Sequence, residues 1–94
     1  MGVPILYSYY MYFVYLLKSK KDNNLYLGST NDLQKRLKEH NTGKVFSTKN
    51  RTPFEIIYCE IYKSEKDARE RESKLKKRKN ALYQLKNRIK ESLR

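Results

Sequence analysis

Cysteine is nearly absent: Cys59 is the only one, and it lies in an apolar run. A single thiol excludes an internal disulfide and cannot build a thiolate zinc cage, a pattern that suits a reducing cytoplasm. Tryptophan is missing altogether, so nine tyrosines supply most of the aromatic surface, each with a stacking face and a hydrogen-bonding tip. No stretch is long and apolar enough to span a bilayer, and the N-terminus lacks the basic head of a signal peptide, so no membrane partner is expected. Internal repeats are absent, and Lys76 to Lys79 is the only low-complexity run. Acidic charge is scarce as well, with 22 Lys and Arg against 10 Asp and Glu and a formal charge of +12. That excess favours an anionic partner through counterion release, nucleic acid being the obvious candidate.

Ninety-four residues suffice for one domain with a modest core of elements packed on a small sheet. Residues 1–10 (MGVPILYSYY) differ in character from the strand-like run that begins at Met11, and read as a frayed extension of a domain over residues 11–94. Positive charge is concentrated late. Residues 1–47 hold 7 basic and 3 acidic side chains, a net of +4, and residues 48–94 hold 15 and 7, a net of +8.

Met11 to Leu17 is almost wholly apolar and reads as a strand covered on both faces, followed by a polar stretch, Lys18 to Asn24, suited to a hairpin turn. Leu25 to Gly28 reads as the returning strand, with Gly28 where the backbone turns or comes close to something. Ser29 and Asp32 form a capping-box pattern, after which Leu33, Arg36, Leu37 and His40 recur at helical spacing until Asn41-Thr42-Gly43 ends the helix. Arg36 and His40 then lie beside its inward stripe. The stretch from Lys44 to Pro53 reads as an exposed basic loop, with Lys44, Lys49 and Arg51 available to phosphates. Phe54 to Tyr62 has the composition of a third strand, with Cys59 in the core. Ser64 and Asp67 repeat the capping pattern before a helix that sets Ala68, Glu72 and Leu75 on one face. Lys76, Lys77, Arg78 and Lys79 mark a joint and a second phosphate-binding candidate. Beyond them, a helix from about Asn80 carries Leu82, Leu85, Ile89 and Leu93 in one apolar stripe. The fold class is α+β, a small three-stranded sheet flanked by about three helices.

Two aromatic triplets, Phe13-Val14-Tyr15 and Tyr26-Leu27-Gly28, sit on the first two strands, and Arg36 follows Tyr26 by ten residues. Breaking a phosphodiester requires an activated nucleophile, a cation against the added charge, and protonation or screening of the leaving oxygen. Tyr15, Tyr26, Arg36, His40 and Glu72 can divide those tasks. Arg36 offers a planar fork of donors with permanent charge, or else pairs with Glu39 or Asp32 on its own helix. A tyrosine has an unperturbed pKa of about 10 and needs nearby cations to act as a base, whereas a histidine near 6.5 is suited to proton transfer directly. Tyr15, Tyr26 and His40 all remain candidates for the base. Glu72 is a carboxylate on an inward face, or one paired with Arg69, Arg71 or Lys76.

This order of residues resembles the GIY-YIG nuclease family, and in length the chain resembles its small single-domain bacterial members. The resemblance runs from about Met11 to Leu75 and over much of the remaining tail. It implies an antiparallel three-stranded sheet, and a Mg²⁺- or Mn²⁺-dependent endonuclease that hydrolyses DNA with low sequence specificity. It also implies roles: Tyr15 and Tyr26 match the motif tyrosines, Arg36 the catalytic arginine, and His40 a position that often holds His or Tyr. Glu72 matches the metal ligand. Family members act in DNA repair, recombination, restriction and intron mobility. Phe13 stands where the family name implies glycine, and Ser29 where some members have lysine. The larger members draw specificity from appended DNA-binding domains; none is expected in these 94 residues, and a homodimer or a partner protein is the candidate source of specificity. The alternative is a noncatalytic nucleic-acid-binding module on the same scaffold.

Overall fold

Five consecutive residues, Phe13 to Leu17, are buried in β1 (Tyr12–Ser19), because this strand lies in the middle of the sheet with cover on both faces. The computed structural model describes residues 10–94, so the extension expected over residues 1–10 lies outside the described residues, except for Tyr10. β1 is flanked by β2 (Leu25–Thr30) and β3 (Phe54–Tyr62), both antiparallel to it, in the order β2-β1-β3. The β1–β2 turn is tied by the Ser19 hydroxyl, which accepts from the amides of Lys21 and Asp22 and donates to the carbonyl of Arg51. Asn23 supplies the left-handed residue of that turn, at φ 62°.

Alternation along β1 divides the core in two. On one face Val14 packs with Ala68, Leu75 and Leu85, joined by Leu27, Tyr58 and Ile89. These come from α2 (Glu65–Lys77), α3 (Lys79–Arg88) with its C-cap Ile89, and the strands. On the other face Tyr15, Leu17 and Phe54 pack with Tyr26, Leu33 and Leu37, the last two from α1 (Leu33–Asn41). Among the described residues the fold is thus three antiparallel strands and three helices, as the sequence predicts.

Some local expectations need correction. β1 runs to Ser19 rather than Leu17, since Lys18 and Ser19 still pair with Glu55 and Phe54 of β3. β2 likewise runs to Thr30: Ser29 pairs with Val14 and Thr30 with Phe13. Strand pairing takes Ser29 away from the expected capping box, and Asp32 caps α1 instead, accepting from the Lys35 amide. The loop after α1 is not wholly exposed, because Thr48 is fully buried. The other cap stands as predicted: the Ser64 hydroxyl accepts from the Asp67 amide at the start of α2. The Lys76–Lys79 run is indeed a joint, with Arg78 in extended conformation ending α2 and opening α3.

Candidate active site

Tyr15 and Gly28 are register partners on β1 and β2. The tyrosine ring lies across the glycine, where an added methyl carbon would overlap the phenol oxygen. Any side chain at position 28 would displace the ring, so Gly28 is the opening that lets Tyr15 reach over the edge strand. The Tyr15 hydroxyl is 3.0 Å from Nε2 of His40, a fully buried residue in the last turn of α1. Nδ1 of the same imidazole is 2.8 Å from the hydroxyl of Thr48. Tyr26 completes the group through its ring, 4.9 Å from the imidazole and 6.4 Å from the Tyr15 ring.

Arg36 stands one helical turn before His40, and its guanidinium interacts with the Tyr15 phenol while Nη1 donates to Glu39 at 3.2 Å. The helix-surface pairing with Glu39 and the approach to Tyr15 therefore coexist. Burial raises the Tyr15 pKa, and Arg36 lowers it but offsets only part of that rise. His40 moves the other way, its pKa lowered by burial first and by Arg36 second. A phenol that holds its proton thus faces an imidazole that stays neutral.

Glu72 comes from α2, on the opposite face of the sheet. It meets the group at the β2 edge, where the Ser29 hydroxyl donates to its Oε1 at 2.5 Å and its charge is felt at Tyr15. The ammonium of Lys76 lies 2.7 Å from its Oε2. Burial raises the carboxyl pKa, yet Lys76 and Ser29 together outweigh it and hold Glu72 below the usual range. No group of three or more His, Cys, Asp or Glu side chains among the described residues is arranged to hold a metal ion. One carboxylate beside one hydroxyl is nevertheless a hard-oxygen donor set of the kind Mg²⁺ accepts when water and substrate oxygens complete its coordination. A cation anchored at one point would fit these residues, with Glu72 as the carboxylate that would hold it and Lys76 as its competitor for Oε2.

The basic candidates divide. Lys44, Lys49, Lys77, Arg78 and Lys79 are exposed. Arg51 is engaged at 2.7 Å with Asp22, and Lys76 with Glu72. Reading the sequence missed Ser29 and Thr48 as site residues. Thr48 carried no signal in a polar loop, whereas Ser29 could have been found by extending the strand alternation past Gly28. Phe46 was missed as well: it is 83% exposed, with the Lys49 ammonium 4.6 Å from its ring centre.

A family model described as the GIY-YIG catalytic domain matches residues 11–88, which take in every strand and helix named above. A UPF0213 protein of Clostridium perfringens is 43% identical over 68 residues, covering 71% of this chain and 72% of that protein. The UPF0213 protein YazA of Bacillus subtilis is 43% identical over 76 residues, covering 77% and 76%. The solution NMR structure of the UPF0213 protein BH0048 from Bacillus halodurans is 32% identical, with a TM-score of 0.48, and the match covers 81% of this chain and 85% of that one. With two motif tyrosines on adjoining strands and relatives matched over most of its length, the chain belongs to the GIY-YIG family and, within it, to the UPF0213 proteins.

Proposed function

We propose that this protein is a divalent-metal-dependent endonuclease that hydrolyses DNA phosphodiester bonds with little sequence preference. The observation that carries the reading is the Tyr15 hydroxyl, reaching the sheet edge over Gly28 with Arg36 beside it and His40 Nε2 at 3.0 Å. In the reaction a water oxygen bonds to phosphorus as the bond from phosphorus to the leaving sugar oxygen breaks. The water's proton passes to the Tyr15 oxygen while the Tyr15 proton passes to His40 Nε2. The leaving oxygen takes a proton from solvent, and the His40 imidazolium releases its extra proton to solvent, which restores the starting state. Handing the proton to a neutral imidazole spares a phenol of raised pKa from ionising into water. Arg36 donates to the phosphate oxygens, on which negative charge grows. A bound Mg²⁺ or Mn²⁺, held by Glu72, would supply further positive charge at the scissile phosphate.

Exposed Lys44, Lys49, Lys77, Arg78 and Lys79 serve as sequence-independent phosphate contacts, and Phe46 offers a face for an unstacked base. Residues 11–94 are the working unit, in the reducing cytoplasm that a lone thiol suits. A second copy of the chain or a partner protein would supply substrate choice and cleavage of the opposite strand.

The test is incubation with duplex, branched and single-stranded DNA in Mg²⁺ or Mn²⁺, with Glu72→Ala and Arg36→Ala alongside. Wild type should cleave, and Arg36→Ala should lose roughly 100- to 1,000-fold, the usual effect of removing a donor to developing charge. No cleavage by wild type, or equal cleavage by all three, would reject the reading. One observation favours a second reading, a nucleic-acid-binding module without catalysis: an ammonium already neutralises Glu72. In that case binding survives Glu72→Ala, needs no divalent cation, and weakens as salt rises.

A further inference from the structure

Thr48 is out of place in its loop. Exposed or half-exposed residues surround it, including Phe46, Ser47, Lys49 and Asn50, yet its own side chain has no solvent contact. The loop's backbone is closed without help from that side chain: the amides of Lys44, Thr48 and Arg51 donate to the carbonyls of Glu39, Val45 and Thr48 at 3.0, 3.1 and 2.9 Å. Burial of the hydroxyl answers to something else, and its nearest partner is Nδ1 of His40, at 2.8 Å.

A neutral imidazole carries one ring proton, and the two placements differ in what they leave unmatched. With the proton on Nε2, the imidazole donates to the Tyr15 oxygen and Thr48 donates to Nδ1. The Tyr15 hydroxyl proton then has no acceptor, since His40 is that hydroxyl's one hydrogen-bond partner at standard geometry among the described residues. With the proton on Nδ1, every donor has an acceptor. Tyr15 donates to Nε2, Nδ1 donates to the Thr48 oxygen, and Thr48 donates to the Val45 carbonyl at 3.4 Å. Leaving a buried donor unmatched is costly, so the second arrangement is favoured.

We propose that Thr48 is a positioning residue that keeps the proton of His40 on Nδ1 and turns a bare Nε2 to the Tyr15 hydroxyl. The catalytic consequence rests on the hydrolytic reading above, whereas the tautomer does not. Thr48 also links the exposed basic loop to the group of side chains around Tyr15, although it touches neither substrate nor the reacting atoms.

The experiment exploits the fact that His40 is the only histidine in the chain. In ¹⁵N-labelled protein, long-range proton–nitrogen correlation at a pH where the imidazole is neutral reads a single pair of ring nitrogens. Wild type should show a protonated Nδ1 and an unprotonated Nε2. Thr48→Val keeps the branched shape and the loop's backbone bonds but removes the acceptor, and should move the proton to Nε2. Thr48→Ser should restore the wild-type pattern, and Thr48→Ala is the alternative should valine disturb the fold. A wild-type protein protonated on Nε2 overturns the proposal outright, as does an Nδ1-protonated imidazole in a folded Thr48→Val or Thr48→Ala protein. Failure of DNA cleavage with the expected tautomer present would instead reject the hydrolytic reading and leave Thr48's role standing. Where cleavage occurs, Thr48→Val should lower kcat with KM unchanged, and Thr48→Ser should recover it.

Discussion

Glu60 and Glu72 lie on the same side of the sheet, one on β3 and one on α2, and both have pKa values below the usual carboxylate range. They are engaged quite differently. Each oxygen of Glu60 takes two donors: Oε1 accepts from Tyr62 and from Nε of Arg71, and Oε2 from Tyr58 and from Nη2 of the same arginine. All four acceptor sites of that carboxylate are filled by fixed groups, which join β3 to α2. Glu72 receives one donor per oxygen, a serine hydroxyl and a half-exposed lysine, and so keeps acceptor capacity facing the β2 edge. A shared pKa direction thus conceals different surroundings: Glu60 is an anchor whose acceptor sites are filled, and Glu72 keeps the capacity that a cation would use on the hydrolytic reading.

The sharpest way to break this comparison is to exchange its outcomes. Glu72→Gln should reduce DNA cleavage by at least ~100-fold, as expected for loss of charge stabilisation at the reaction centre, and leave the thermal midpoint close to wild type. Glu60→Gln should do the reverse, lowering unfolding free energy by ~2 kcal/mol in a urea titration, because Arg71 and two tyrosines lose a charged partner. A stable Glu60→Gln protein with impaired cleavage would undo the distinction.

A smaller effect is expected from Lys76→Met. Removing the ammonium frees one oxygen of Glu72, and Mn²⁺ affinity measured by paramagnetic relaxation should rise by roughly two- to fivefold, in keeping with the modest strength of exposed ion pairs. Unchanged affinity would mean that the cation does not compete for that oxygen.

The smallest effect is on pH dependence. Burial raises the Glu60 pKa, but Arg71, Tyr58 and Tyr62 more than compensate, so its folded value lies below the unfolded one. Its contribution to stability is therefore fully present above the unfolded pKa and disappears as pH falls through the folded value. Glu60→Gln should flatten the acid side of a stability profile. At alkaline pH the sign changes groups: Tyr58 and Tyr62, each pushed up to about 12 by burial first and by Glu60, should lose stabilising power as pH rises from the unfolded tyrosine value towards that point. The same substitution should weaken the alkaline loss. An identical profile for both proteins would count against the cluster.

What could be read in the sequence was local. Phe54–Tyr62 declares itself by β-branched and aromatic content, Ser64 by its capping pattern, and Arg36 and His40 by helical spacing that brings both to Tyr15. What could not be read depends on partners far along the chain. Ser29 looks like a cap until strand pairing with Val14 claims its backbone and Glu72, 43 residues away, claims its hydroxyl. The pairing of Arg51 with Asp22, 29 residues away, also leaves no mark in the local sequence. The contest between burial and Arg36 over the Tyr15 phenol is likewise decided by packing, since no local pattern reports how much water surrounds a ring.

Because Gly28 leaves a gap in the edge strand, Tyr15 from one half of the core feels the charge of Glu72, which lies on the side of the other half, at a boundary that neither half owns. On the hydrolytic reading, the reacting groups come together only when both halves are packed at once. A partly folded chain, with α1 or α2 undocked, would still carry its positive charge, but it would lack either the Tyr15–His40 pair or the carboxylate. On the hydrolytic reading, that arrangement keeps nascent and damaged copies of the protein from cutting.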